Sequence, residues 1–170
     1  MRTLDDILKQ IEAFHLDQVF VTDAVTGTKY TYGDIFRQAD RIGLWLQAKG
    51  YSELIVCMDN SVELLTVYFA ALLYQIVVIP VDPAKSRDEI NAIREIHSQA
   101  FYMDGVLPSQ HLSDCEENGK HNFSNADYDS PFLITYTSGS TGRPKGVKHS
   151  AKNLFLAAAS FGEAMHYDRH

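Results

Sequence analysis

The chain has 170 residues, 45% of them hydrophobic and 22% charged, which is enough for one globular domain with a real core. Its formal net charge of −7 argues against nucleic acid as a partner, because a phosphate backbone calls for a basic surface. Two cysteines, Cys57 in an apolar run and Cys115 in a polar one, build no disulfide framework and fit a reducing, cytoplasmic setting.

Asp5 and Asp6 stand where a signal peptide would need its apolar centre, so secretion is not indicated. Leu4, Ile7, Leu8 and Ile11 recur at helical spacing and predict an amphipathic first helix. Val19-Phe20-Val21 and Lys29-Tyr30-Thr31 read as short strands joined by the glycine-containing turn Val25-Thr26-Gly27-Thr28. Thr31 and Asp34 then give a capping signal for a helix carrying Ile35, Ala39, Ile42 and Leu46 on one face, with Gly50 closing it. Phe36 and Trp45 on that helix are read as packing residues.

The most apolar region follows. Leu54-Ile55-Val56-Cys57-Met58 reads as a strand, and from Leu64 to Val81 only Thr66 and Gln75 are clearly polar. A membrane span is rejected, because helix-favouring Leu64 to Leu73 gives way to the β-branched run Ile76-Val77-Val78-Ile79 and then to Pro80. A buried helix feeding a buried strand accounts for the composition better. Asp82-Pro83 is a turn, Ser86 and Glu89 form a second capping box, Ile90, Ile93 and His97 share a helix face, and Phe101-Tyr102-Met103 is a short strand. Apolar strands alternating with helices imply an α/β fold, a mostly parallel sheet covered by helices on both faces. Asp104 to Ser130 is polar and aperiodic, hence a surface loop, and Asp127 and Asp129 near its end are taken as solvated carboxylates rather than metal ligands.

Phe132 to Tyr136 is a strand that runs into Thr137-Ser138-Gly139-Ser140-Thr141-Gly142-Arg143-Pro144-Lys145-Gly146, with Val147-Lys148-His149 a strand leaving it and Asn153 to Met165 a helix. The glycines let consecutive N–H groups turn toward one point, and Thr137, Ser138, Ser140, Thr141 and Lys145 add hydroxyl and ammonium donors with no carboxylate among them. Such a donor set suits a polyphosphate. It is not a Walker A loop, since Gly142 is followed by Arg143-Pro144-Lys145 and Lys145 by Gly146 rather than Ser or Thr. His166 and His170, four apart, lack the further ligands a metal would need.

The string from Tyr136 to Val147 resembles, nearly letter for letter, the phosphate-binding signature of the adenylate-forming superfamily, which includes acyl-coenzyme A synthetases, amino-acid and aryl-acid adenylation domains and luciferase-like ligases. The segment from Lys29 to Gly50 is similar to the family's early strand and long helix. The resemblance implies that Thr137, Ser138, Gly139, Ser140, Thr141, Gly142 and Lys145 contact ATP phosphates, with Mg²⁺ accompanying them, while a carboxylate attacks the α-phosphorus and pyrophosphate leaves. It implies a phosphate-binding loop over 136–146 within residues 1–170 as a partial N-terminal large domain, and as partners a carboxylic acid and the thiol of coenzyme A or a carrier protein.

The chain departs from the family pattern in two places. Tyr74-Gln75 replaces an Ala-Gly pair before a strand, and Ala151 occupies the position of a histidine that lies near the acyl pocket in many relatives, leaving His149 two residues early. The family's Tyr-Gly-x-Thr-Glu and Thr-Gly-Asp segments, its hinge and its C-terminal catalytic lysine have no counterpart here. The expectation is therefore an N-terminal fragment of an AMP-forming acid–thiol ligase, inactive alone; the alternative is a naturally short, split or inactive binding or assembly module. A Rossmann-type domain is disfavoured, since no G-x-G-x-x-G follows a strand.

Overall fold

The computed structural model describes residues 15–105, 127–137 and 144–165. The helix expected around Leu4 to Ile11, most of the polar stretch after Asp104, and His166 and His170 lie outside them. The two short strands expected at the start form as β1 (Val19–Thr22) and β2 (Lys29–Thr31), and they pair antiparallel. Its turn is tied by the Asp23 carboxylate, which accepts from the amides of Val25 and Thr26, each at 2.8 Å.

Among the described residues there are four helices, α1 (Tyr32–Ala48), α2 (Val62–Tyr74), α3 (Arg87–Ile96) and α4 (Ala151–Ala164), and α1 and α3 follow the cap signals read in the sequence. Both expected capping boxes form: the Asp34 amide donates to the Thr31 hydroxyl at 3.1 Å, and the Thr31 amide donates back to the Asp34 carboxylate at 2.9 Å. Ser86 and Glu89 repeat the exchange at the start of α3. Past α1, the Tyr51 amide reaches back to Leu46 O and that of Gly50, at φ 77°, to Gln47 O, so the chain leaves the helix where the glycine permits.

These caps also set an acid limit. The backbone N–H and hydroxyl of Thr31 hold the Asp34 carboxyl below its ordinary value, and hydrogen bonds from Lys85 and then Ser86 do the same for Glu89. Groups depressed on folding contribute stability that is present above their unfolded pKa, about 4, and lost as pH falls through the folded values. The melting temperature is therefore expected to fall on acidification below about pH 4, and to fall less in an Asp34→Asn/Glu89→Gln double variant; parallel curves would remove these caps from the account.

The main sheet is built from β3 (Glu53–Val56), β4 (Val77–Pro80), β5 (Phe101–Met103), β6 (Pro131–Thr137) and β7 (Lys145–Ser150), in the order β5-β3-β4-β6-β7. All neighbours are parallel except β6 and β7, which form an antiparallel hairpin. Leu54, Val56, Val78 and Leu133 pack on one face against α1 and α2, while Ile55, Ile79, Ile134 and Tyr136 pack on the other against Ile90 and Ile93 of α3. Helices thus cover both faces, and the apolar run needs no bilayer to explain it. Each Leu or Ile fully withdrawn from water contributes about 1.5–3 kcal/mol. Among the described residues no helix is long and apolar enough to cross a membrane.

The departure at Tyr74-Gln75 is accommodated in an unexpected way. Gln75 ends α2 in the left-handed conformation, at φ 54° and ψ 44°, where the family pattern would place glycine. Tyr74 swings onto α1: its hydroxyl donates to the buried Asp40 carboxylate, and its ring fills the space beside Gly43.

Candidate functional site

The hairpin that carries the phosphate signature is longer than the sequence spacing implied. β6 continues through Thr137 and β7 begins at Lys145, and these two residues face each other as the last register pair. The other expected phosphate contacts, Ser138, Gly139, Ser140, Thr141 and Gly142, lie outside the described residues. Of the seven, the structure therefore places two, and it brings them together at the mouth of the hairpin.

Side chains alternate along a strand, and register partners share a face. Thr137 and Lys145 thus project on the side of Leu133, which is the side of α2, while Tyr136 and Gly146 project on the side of α3. Both mouth residues are exposed. Ion pairs among the described residues, such as Arg37–Asp34, Lys85–Glu89, His97–Glu53 and Lys152–Asp129, leave the Lys145 ammonium out. A hydroxyl and an ammonium on one face, without a paired carboxylate, form a donor set that fits phosphate oxygens.

Inward on the same face, the His149 ring Nε2 lies 3.1 Å from the Thr135 hydroxyl. Beyond it an apolar cavity of about 310 Å³ opens between α2, β6 and α4, lined by Tyr68, Phe69, Leu133 and Phe155 among others. Burial raises the Tyr68 phenol above its ordinary value, so it is a neutral hydroxyl at physiological pH. The Ser150 hydroxyl accepts from the Asn153 amide at 3.2 Å and caps α4, which starts two residues before the Asn153 expected from the sequence.

The two suspect carboxylates are engaged locally. Asp127 accepts from the Ser130 hydroxyl and from the amides of Asp129 and Ser130, interactions that lower its pKa in that order of kind, and Asp129 pairs with Lys152 at 2.9 Å. On the α3 side, the Tyr136 hydroxyl lies 2.7 Å from His97 Nε2, and His97 Nδ1 lies 2.8 Å from the Glu53 carboxylate. The sequence marked His97 only as a member of an apolar helix face and gave Glu53 no role. Glu53 precedes His97 by 44 residues, and Tyr136 follows it by 39, so no local pattern could have joined them.

Residues 8–170 match the family described as AMP-binding enzyme. Among curated relatives, the hybrid PKS-NRPS synthetase pynA of Aspergillus niger is 27% identical over 184 residues, covering 95% of this chain and 4% of that protein. The D-alanine–D-alanyl carrier protein ligase of Streptococcus pneumoniae is 26% identical over 170 residues, covering 90% of this chain and 33% of the ligase. Among solved structures, McyG A-PCP complexed with phenylalanyl-adenylate superposes with a TM-score of 0.75 at 19% identity, covering 97% of this chain and 31% of that one. At that identity the likeness speaks for the fold. The chain spans a third or less of the length of each of these proteins.

Proposed function

This chain belongs to the AMP-binding enzyme family, and from that membership we propose that it forms the front part of the large domain of an ATP-dependent, AMP-forming ligase, with its phosphate-binding loop at 136–146. In the whole protein a carboxylate oxygen of the acid attacks the α-phosphorus of ATP, the bond to the bridging oxygen breaks, and pyrophosphate leaves. A thiol, of coenzyme A or of a carrier protein, then takes the acyl group and AMP departs. The similarity to a carrier-protein ligase and to peptide synthetases favours a carrier thiol over coenzyme A.

The observation that carries the reading is the Thr137–Lys145 pair closing the mouth of the signature hairpin. In this role the Lys145 ammonium neutralises charge on the β- and γ-phosphate oxygens and the Thr137 hydroxyl donates to them, so that the leaving pyrophosphate is stabilised as it separates. Mg²⁺ bound to the polyphosphate would supply further charge neutralisation. The segments that grip adenine, ribose and acid in the family have no counterpart in the chain, which is why it is proposed to be inactive alone.

A competition experiment tests this. ATP bound to the 170-residue chain in the presence of Mg²⁺ should be displaced by inorganic pyrophosphate and left in place by AMP, since the chain supplies the phosphate grip and little of the nucleoside pocket. Displacement by AMP with indifference to pyrophosphate would place the nucleotide elsewhere and overturn the reading.

A further inference from the structure

We propose that Glu53 and His97 are positioning residues for the mouth of the phosphate loop, acting through Tyr136; the functional part of this proposal rests on the phosphate reading above. Three elements meet in the network: Glu53 opens β3, His97 caps the C-terminus of α3, and Tyr136 is the last residue but one of β6. The His97 side chain is 10% exposed and that of Glu53 33%, so the two bonds at 2.8 and 2.7 Å are largely withdrawn from competing water.

With the ring neutral and its Nδ1–H directed at the Glu53 carboxylate, the Nε2 lone pair is the acceptor into which the Tyr136 hydroxyl donates. Burial, and then the charge of Glu53, push the Tyr136 phenol above its ordinary value, so the hydroxyl keeps its proton. The His97 and Tyr136 rings also meet edge to face, with centroids 5.8 Å apart.

The other flank of the Tyr136 ring is closed by its register partner. A Cβ placed on Gly146 would lie 3.1 Å from Tyr136 Cζ and 3.1 Å from Ile134 Cγ2, so the ring occupies the space that glycine leaves. Tyr136 precedes Thr137 and Gly146 follows Lys145. Holding the ring between His97 and Gly146 on the α3 side therefore fixes the peptide planes from which Thr137 and Lys145 project on the other side. A phosphate grip needs this preorganisation, because a donor displaced by even an ångström loses most of its effect.

Amide hydrogen exchange by NMR on the full 170-residue chain, paired with titration of inorganic pyrophosphate, tests the proposal. Tyr136→Phe keeps the ring and deletes only the donor; His97→Ala deletes the acceptor; His97→Gln keeps a group that can accept from Tyr136 and donate to Glu53. The first two are expected to speed exchange about fivefold, the scale of one net hydrogen bond, in residues 135–137 and 145–147. Exchange in β3 and β4 should be unchanged, pyrophosphate should bind more weakly by a similar factor, and His97→Gln should restore both. Uniform acceleration across the sheet, an unchanged hairpin mouth, unchanged pyrophosphate affinity in variants whose mouth has loosened, or failure of glutamine to restore would overturn the positioning role. Absence of pyrophosphate binding by the wild-type chain, with the localised exchange pattern still present in the variants, would instead count against the phosphate reading.

Discussion

Lys145→Ala is expected to weaken binding of Mg²⁺-pyrophosphate by about 1.5–3 kcal/mol, the range for a hydrogen bond to a charged group, or roughly 10- to 150-fold in affinity. The residue stands at the hairpin mouth, exposed and opposite Thr137, and no carboxylate among the described residues engages it. In a chain with a net charge of −7, phosphate finds little attraction from the protein as a whole, so local donors must supply it. Lys148, three residues further along β7, is paired with Ile134 and projects on the α3 side. Lys148→Ala should therefore change the affinity much less. Equal losses in the two variants, read by calorimetric titration, would mean that general charge and not the mouth geometry attracts the anion.

Gly43→Ala is expected to destabilise the fold by about 2–3 kcal/mol, toward the upper end for overpacking a core. Alanine in a helix interior ordinarily gains about 1 kcal/mol over glycine, so the sign alone is informative. Its Cβ would fall 2.0 Å from Tyr74 Cδ2 and 2.6 Å from Cγ. The ring cannot swing aside freely, because its hydroxyl donates to Asp40, which is 3% exposed and sits one turn before Gly43 on α1. Denaturant unfolding gives the difference directly. A neutral or stabilised Gly43→Ala variant would show that the α1–α2 packing is looser than this contact implies.

How much of this was legible beforehand depends on how local the cause is. The caps at Thr31 and Ser86, the turn around Asp23 and the strand–helix alternation follow from neighbours within a few residues, and each was readable from spacing. Two-sided burial of β3 and β4 was readable as well, because an apolar run too short and too β-branched for a membrane demands a covered sheet. The hairpin ends were placed short by a residue or two, since Thr137 and Lys145 carry loop-like chemistry yet complete the ladder. The place of Tyr74 was out of reach for a deeper reason. The sequence showed that a glycine was missing, but not that the tyrosine beside it would dock on Gly43, 31 residues earlier, and so turn an irregular helix exit into a contact between helices. The Glu53–His97–Tyr136 network was invisible for the same reason: its members come from three elements, and only the order β5-β3-β4-β6 brings them together.

In the proposed function this chain carries the phosphate-gripping front of an AMP-forming ligase and needs the rest of the domain for chemistry. ATP–pyrophosphate exchange, run over a panel of carboxylic and amino acids, tests it most directly. The 170-residue chain should give no exchange, and a protein in which it is followed by the remaining segments of an adenylation domain should give exchange that depends on one or a few acids and is lost in Lys145→Ala. Acid-dependent exchange by the chain alone, or exchange in the longer protein that is indifferent to Lys145, would contradict the account.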